Sequence, residues 1–256
     1  MSATPQIPDW LGVVASIVLV GIAVLVSIRA RLGLARDLLW AALRAFVQLL
    51  AVGALFERAG LLGALAWVTG MVLIAGLVAA GRAKALPKGR SIAWIAVGTG
   101  TATTLGVLLL LGVIEPVPSV VVPVGGMVVS GAMTTAILTM RRLTDTAAEQ
   151  RPDIEARLAL GQTADEAMAP HLRRSVTMAL LPAIDSTKVV GLIALPGAMT
   201  GLILAGVEPI VAVRYQIVVM YMLLAAASIS AIVAARLAQR ALFDDADRLY
   251  RVEASS

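Results

Sequence analysis

Apolar residues along this chain come in blocks of about twenty, each closed by a short cluster of basic residues, Gly or Pro. A block of that length crosses a ~30 Å hydrocarbon core as a helix. Seven blocks are read, at about 10–28, 38–56, 61–81, 91–112, 118–140, 188–206 and 210–235. The pattern predicts an all-α fold, a polytopic membrane helix bundle of about seven transmembrane helices, as one domain over residues 1–256. Residues 176–206 are too long for one crossing, about 46 Å at 1.5 Å per residue. An amphipathic helix at the membrane surface is therefore expected over 173–184, broken near Pro182, before a span starting at about 188. Two polar pieces remain. The segment at about 141–175 predicts helices in "PDIEARLAL" and "ADEAMAPHLRR" around a break at Gly161, with Pro and acids early and Arg late. A polar tail follows at about 236–256.

Composition agrees with the pattern. The 256 residues are 59% hydrophobic and 14% charged, against roughly half apolar and a quarter charged in soluble domains. The net charge of +5 does not point to nucleic acid, because the basic residues form no stripe with interleaved aromatics. They occupy alternate loops instead: Arg29, Arg31 and Arg36; Arg82, Lys84, Lys88 and Arg90; Arg141 through Arg174; Arg236 through Arg251. The positive-inside rule then predicts an inner-membrane protein with its N-terminus outside and its C-terminus in the cytoplasm. The opposite loops carry Arg58 with Asp9, Glu57, Glu115 and Glu208, either plain charge asymmetry or an acidic vestibule for cations. "MSATPQIPDW" has no basic n-region and no A-x-A site follows, so the first block is expected to be retained.

Enzyme chemistry finds little to use. The chain has no cysteine, hence no thiolate metal site. It lacks G-x-x-x-x-G-K-[ST], H-E-x-x-H and G-x-S-x-G, and its single His171 lies in the polar segment. No catalytic residue and no cofactor in this chain are expected. A polar thread through the apolar blocks remains. Arg44 and Gln48 share a helix face four residues apart, either snorkelling to the headgroups or facing the protein interior. "GTGTATT" brings Thr101 among small residues, and "PVGGMVVSGAMTT" brings Ser130 and Thr134; both stretches suit close packing or a translocation path. Between two prolines, "LLPAIDSTKVVGLIALPGAMTG" sets Asp185 three residues before Lys188, at what the predicted spans make the inner mouth of the membrane. Either the pair is an i,i+3 clamp on a hinge, or Asp185, with Ser186 and Thr187 beside it, offers hard oxygen donors to a metal cation entering from the cytoplasm.

The segment from "ARLALGQTADEA" through "LLPAIDSTKVVGLIALPGAMTG", with "RAFVQLLAVGALF" and "PVGGMVVSGAMTT" upstream, resembles the permease family of bacterial iron-exporting ABC transporters of the FetB type, to which plant aluminium-sensitivity permeases are similar. The resemblance covers about residues 10–240. It implies a permease without a nucleotide site, working with a separate cytoplasmic ABC ATPase that holds the ATP. It also implies that "ALGQTADEA", with Gly161, Glu166 and Ala167, docks on that ATPase, and that the cargo is iron or another metal. A homodimer in the membrane is expected. A gradient-driven carrier or channel, or a permease for a non-metal solute, are the other readings.

Overall fold

The computed structural model describes residues 10–55, 60–244 and 246–252. Asp9, Glu57, Arg58 and the last four residues of the tail lie outside them. Two compact units result, Met1–Ala59 and Gly60–Ser256. The first is a hairpin of α1 (Trp10–Arg29) and α2 (Ala35–Leu55). Its turn uses left-handed backbone at Arg31 and Gly33, and Gly33 is the residue type that adopts it without strain.

The second unit is built on α3 (Leu61–Arg82), α4 (Gly89–Leu110), α5 (Pro118–Glu149) and α9 (Pro209–Ala241). Each of these four is long and apolar enough to cross a membrane, and Val13–Arg29 of α1 is a shorter apolar candidate. Their shared core is made of small residues: Ala79, Ala93, Ala96, Ala132, Ala136, Ala226 and Ala234 are buried. In lipid the tails are as apolar as the helices, so association depends on close packing, and small residues let backbones approach. At Gly100 a Cβ would collide with the Ser230 hydroxyl, which donates to the Ala96 carbonyl across 3.0 Å. At Gly125 it would lie 2.6 Å from Val68 Cγ2. Large apolar side chains such as Leu77, Ile95 and Leu110 point outward, as a lipid-facing surface requires.

α5 and α9, with 32 and 33 residues, outlast their 22-residue neighbours. Both protrude at the end of the bundle that carries Arg82, Arg90, Arg141 and Arg240, here termed the basic end. The protruding turns are capped by α6 (Arg151–Ala159), the start of α7 (Ala164–Val189) and the residues after α9. Arg151 donates to the Leu249 and Tyr250 carbonyls at 3.1 Å, and Gln239 Nε2 to Asp165 Oδ1 at 2.8 Å. The tail expected from 236 thus starts later, because α9 stays helical to Ala241 and Leu242, Phe243 and Leu249 are then buried beneath the cap.

Two expectations change. α7 runs without interruption through Pro170 and Pro182, so the break expected near Pro182 does not occur and the helix is not confined to 173–184. Proline removes one i→i−4 bond, and here packing along α5 and α9 carries the helix past it. The break comes at Val190–Pro196, where Gly191 has φ +84° and a tight turn returns its N–H to the Ala194 carbonyl at 2.9 Å. The predicted span 188–206 is accordingly not one helix: α8 (Gly197–Leu204) has eight residues, about 12 Å of rise, less than half of a ~30 Å hydrocarbon core.

Candidate translocation site

Three of the residues picked out by sequence meet in space. Ser130 and Thr134 on α5 and Ser186 on α7 line one cavity of about 270 Å³, closed on its third side by Met220, Leu223, Leu224 and Ala227 of α9. The lining positions on α5 and α7 recur at three and four residues, the spacing of one helix face. Gly131, Ala179, Pro182 and Ala183 keep the space open by having small or compact side chains. Pro182 contributes in a second way, since its ring leaves the Met178 carbonyl without its helical donor. Several hydroxyls are turned onto their own helices: Thr135 onto the Gly131 carbonyl at 3.0 Å, Ser186 and Thr187 onto that of Ala183 at 2.9 and 2.8 Å. A Ser or Thr bonded in this way keeps its oxygen lone pairs for a further partner.

Beside this cavity, Lys188 Nζ lies 3.3 Å from Asp185 Oδ1. The two side chains are 61% and 67% exposed, Asp185 and Lys188 respectively. The register of α7 against α5 is fixed by the Thr146 and Ser175 hydroxyls, 3.4 Å apart. The two helices run antiparallel, so Asp185, ten residues beyond Ser175, stands about level with Ala136, roughly 7.5 Å of rise inside Arg141 at the end of the apolar stretch of α5. The ion pair thus lies on the basic-end side of the bundle's middle, on a helix that ascends beside α5 where a surface helix was expected. Among the described residues no three His, Cys, Asp or Glu side chains cluster as metal ligands. Any cation here would meet one carboxylate and hydroxyl oxygens, a hard, weak donor set.

The remaining candidates fall elsewhere. Thr101 is buried on α4, and its Oγ1 finds no hydrogen-bond partner among the described residues; it does not line the cavity. Arg44 and Gln48 lie one turn apart on α2 of the first unit. At the basic end, Gly161 has φ +87° and follows α6, the left-handed stop that glycine supplies. Thr163 then caps α7. Its hydroxyl accepts from the Glu166 N–H while Glu166 Oε2 accepts from the Thr163 N–H at 2.9 Å, a reciprocal capping box. That backbone donor, with the Thr163 hydroxyl, holds the Glu166 carboxyl below its ordinary range. Ala167 is fully buried. Glu166 and Ala167 thus build the corner from inside, whereas Leu160 presents an 83% exposed apolar side chain at its tip. Sequence reading passed over Leu160, although an apolar residue directly before a helix-stopping glycine was visible. The contribution of Ala183, Met220 and Leu223 to the cavity had no such signal, since apolar residues in apolar helices look alike.

A family profile described as "Uncharacterised protein family (UPF0014)" matches residues 10–243. The chain is 42% identical over 240 residues to the UPF0014 membrane protein STAR2 of Oryza sativa subsp. japonica, covering 92% of this chain and 84% of that protein. It is 37% identical to the probable iron export permease protein FetB of Escherichia coli (strain K12), over 91% of this chain and 92% of the relative. It is 37% identical to the protein ALUMINUM SENSITIVE 3 of Arabidopsis thaliana, over 92% and 88%. No solved structure matches.

Proposed function

The chain belongs to the UPF0014 family, and from that membership we propose that it is the membrane permease subunit of an ABC transporter that moves iron or another metal cation out of the cytoplasm. The observation that carries this reading is the cavity in which Ser130, Thr134 and Ser186 converge beside Asp185. The name of the bacterial relative, a probable iron export permease, supports the cargo and the direction. The basic end is read as cytoplasmic, because Arg and Lys accumulate on that side of membrane proteins. A separate ATPase docks there on the α6–α7 corner, with Leu160 as its apolar contact, and two copies of the permease pair in the membrane.

In mechanism, a cation entering from the basic end exchanges water for hydroxyl oxygens and competes with the Lys188 ammonium for the Asp185 carboxylate. Binding of this kind is weak, as transport requires, since a cargo must leave as readily as it enters. ATPase closure acts on the α6–α7 corner, and α7 is one helix from that corner to Asp185. A displacement at the corner is thereby delivered to the cavity by a single rigid element, biasing two arrangements of it.

A gradient-driven carrier is the second reading, favoured by the carboxylate of Asp185 beside the cavity, a titratable group of the kind such carriers use. One experiment separates the two. Inside-out vesicles containing this chain and its ATPase are supplied with ferrous iron in the external medium, with ATP, without ATP, or with an imposed proton gradient alone, and iron accumulated in the lumen is measured. Uptake only with ATP and an active ATPase is expected. Uptake driven by the gradient alone overturns the ABC reading.

A further inference from the structure

Below the hydroxyl cavity, the same faces of α5 and α7 enclose a second pocket of about 240 Å³. Along α5 the lining steps from Thr134 and Leu138 to Arg142 and Thr146, and along α7 from Pro182 and Ala179 to Ser175 and His171. The character of the groove changes at that step from hydroxyl and apolar to cationic. Arg142 lines it from α5 and Arg174 from α7, together with Glu149. Neither guanidinium is ion-paired with another described residue. His171 Nε2 is occupied by Asp153 Oδ2 at 3.0 Å, so it is not the group the pocket offers. Between the arginines, the Thr146 and Ser175 hydroxyls stand 3.4 Å apart, and Ser175 is 2% exposed. Above them Met178 is 44% exposed and opens the pocket sideways toward the apolar surface of the bundle.

We propose that this pocket binds the phosphodiester headgroup of an anionic glycerophospholipid. Two guanidiniums on separate helices match a phosphate, since each presents several donors in a fixed fork. The two hydroxyls add short-range donors, and Glu149 accepts from a headgroup hydroxyl such as that of phosphatidylglycerol. The level fits as well. Arg142 directly follows the apolar stretch of α5, where headgroups begin, and basic pockets between membrane helices at that depth take acidic lipids. Acyl chains then leave over Met178 into the hydrocarbon. Because the lipid would bridge α5 and α7 directly beneath the cavity, it would also restrain the motion of the helix that carries Asp185.

Free phosphate shares the chemistry but not the tails, which gives the test. The full chain, purified in a neutral detergent, is titrated with phosphatidylglycerol or phosphatidylcholine, and lipid adducts are counted by native mass spectrometry. Phosphatidylglycerol adducts on the wild type are expected to exceed phosphatidylcholine adducts and to survive excess inorganic phosphate. Arg142→Gln and Arg174→Gln are each expected to lower them roughly fivefold, the worth of one basic residue near an acidic lipid surface. Arg173→Gln, on the neighbouring exposed position outside the pocket, is expected to leave them unchanged. Adducts indifferent to Arg142 and Arg174, equally reduced by Arg173→Gln, or displaced by inorganic phosphate overturn the proposal. All three substitutions alter exposed side chains, so folding is preserved and each outcome is readable.

Discussion

Lys188 holds its ammonium 3.3 Å from the Asp185 carboxylate on a stretch of α7 that borders the cavity lined by Ser130, Thr134 and Ser186. An ion pair within the span of the bundle is costly in hydrocarbon, so its presence beside the cavity calls for a function. Asp185→Asn is expected to lower ATP-dependent cation transport on the order of tenfold, the worth of one charge-assisted contact. Binding of the ATPase should not change. Lys188→Gln frees the carboxylate for cargo and is expected to tighten cation binding while slowing release, so that KM and kcat fall together. A Lys188→Gln permease with raised KM would refute the competition between ammonium and cargo.

The cavity makes a steric prediction. Ser130→Leu projects a branched side chain into the space shared by α5, α7 and α9. Because that side chain occupies an existing opening, melting temperature should move little, whereas transport should fall by more than about tenfold, a barrier change of ~1.4 kcal/mol. Gly131→Ala is the matched control, since its Cβ would meet only Leu223 Cδ2 at 3.5 Å, an ordinary contact. Equal transport by the Leu variant would remove this cavity from the path.

Much of the architecture was open to reading from residue order. Blocks of twenty apolar residues located α3 and α4 within two positions and the starts of α5 and α9 within one, because length and hydropathy are intrinsic to a helix in lipid, whereas α5 and α9 stay helical past the apolar blocks, to Glu149 and Ala241. The hydroxyls of Ser130, Thr134 and Ser186 were likewise conspicuous against their surroundings. What failed was the region around Pro182. Local chemistry there favours a break, and only the packing of α7 along α5 and α9, a long-range property, overrides it. The split of 188–206 into a turn and α8 follows from that single error, because α7 carries on to Val189. Glu166 and Ala167 were expected to dock on an ATPase, and what the structure shows of them is a cap and a buried packing position, roles that depend on where α7 begins.

At the basic end, Leu160 is the exposed apolar tip of a corner otherwise satisfied internally. Leu160→Asp removes nothing from the core, so the helix content and melting of the isolated permease should be unchanged. Co-purification of the ATPase is expected to drop at least tenfold, as for an apolar residue anchoring an interface. Full retention of the ATPase would shift docking to another surface.

The capping box gives a pH dependence. Glu166 titrates below its ordinary value of 4.5 because the Thr163 N–H and hydroxyl bond its charged form. A carboxyl depressed in the folded state stabilises above its unfolded pKa and loses that contribution as pH falls through the lower, folded value. The protection of the first-turn amides of α7, the base-catalysed intrinsic rate at each pH divided by their exchange rate, is therefore expected to hold from neutrality down to about pH 4.5 and to fall below it. Thr163→Ala should weaken the same turn by about 1 kcal/mol at neutral pH. Asp153, depressed by Arg157 and then His171, adds to the acid loosening of this corner, so Glu166→Gln should reduce the loss of protection without abolishing it.

The contact of α4 with α9 at Gly100 permits a double-mutant test of packing. A Cβ at Gly100 would collide with Ser230 Oγ and lie 3.1 Å from the Ala226 carbonyl, so Gly100→Ala forces the helices apart or drives the Ser230 hydroxyl from its bond to the Ala96 carbonyl. Overpacking of this kind costs about 1–3 kcal/mol. Ser230→Ala alone deletes one buried hydrogen bond and should cost about 1 kcal/mol. In the double variant the colliding oxygen is gone, and the new methyl group occupies the space it leaves. The combined loss is therefore expected to be smaller than the sum of the single losses, with a coupling on the order of 1 kcal/mol between contacting residues. Thermal unfolding in a fixed detergent measures all four members of the cycle. Strict additivity would mean that Gly100 and Ser230 do not touch and that the α4–α9 approach is set elsewhere.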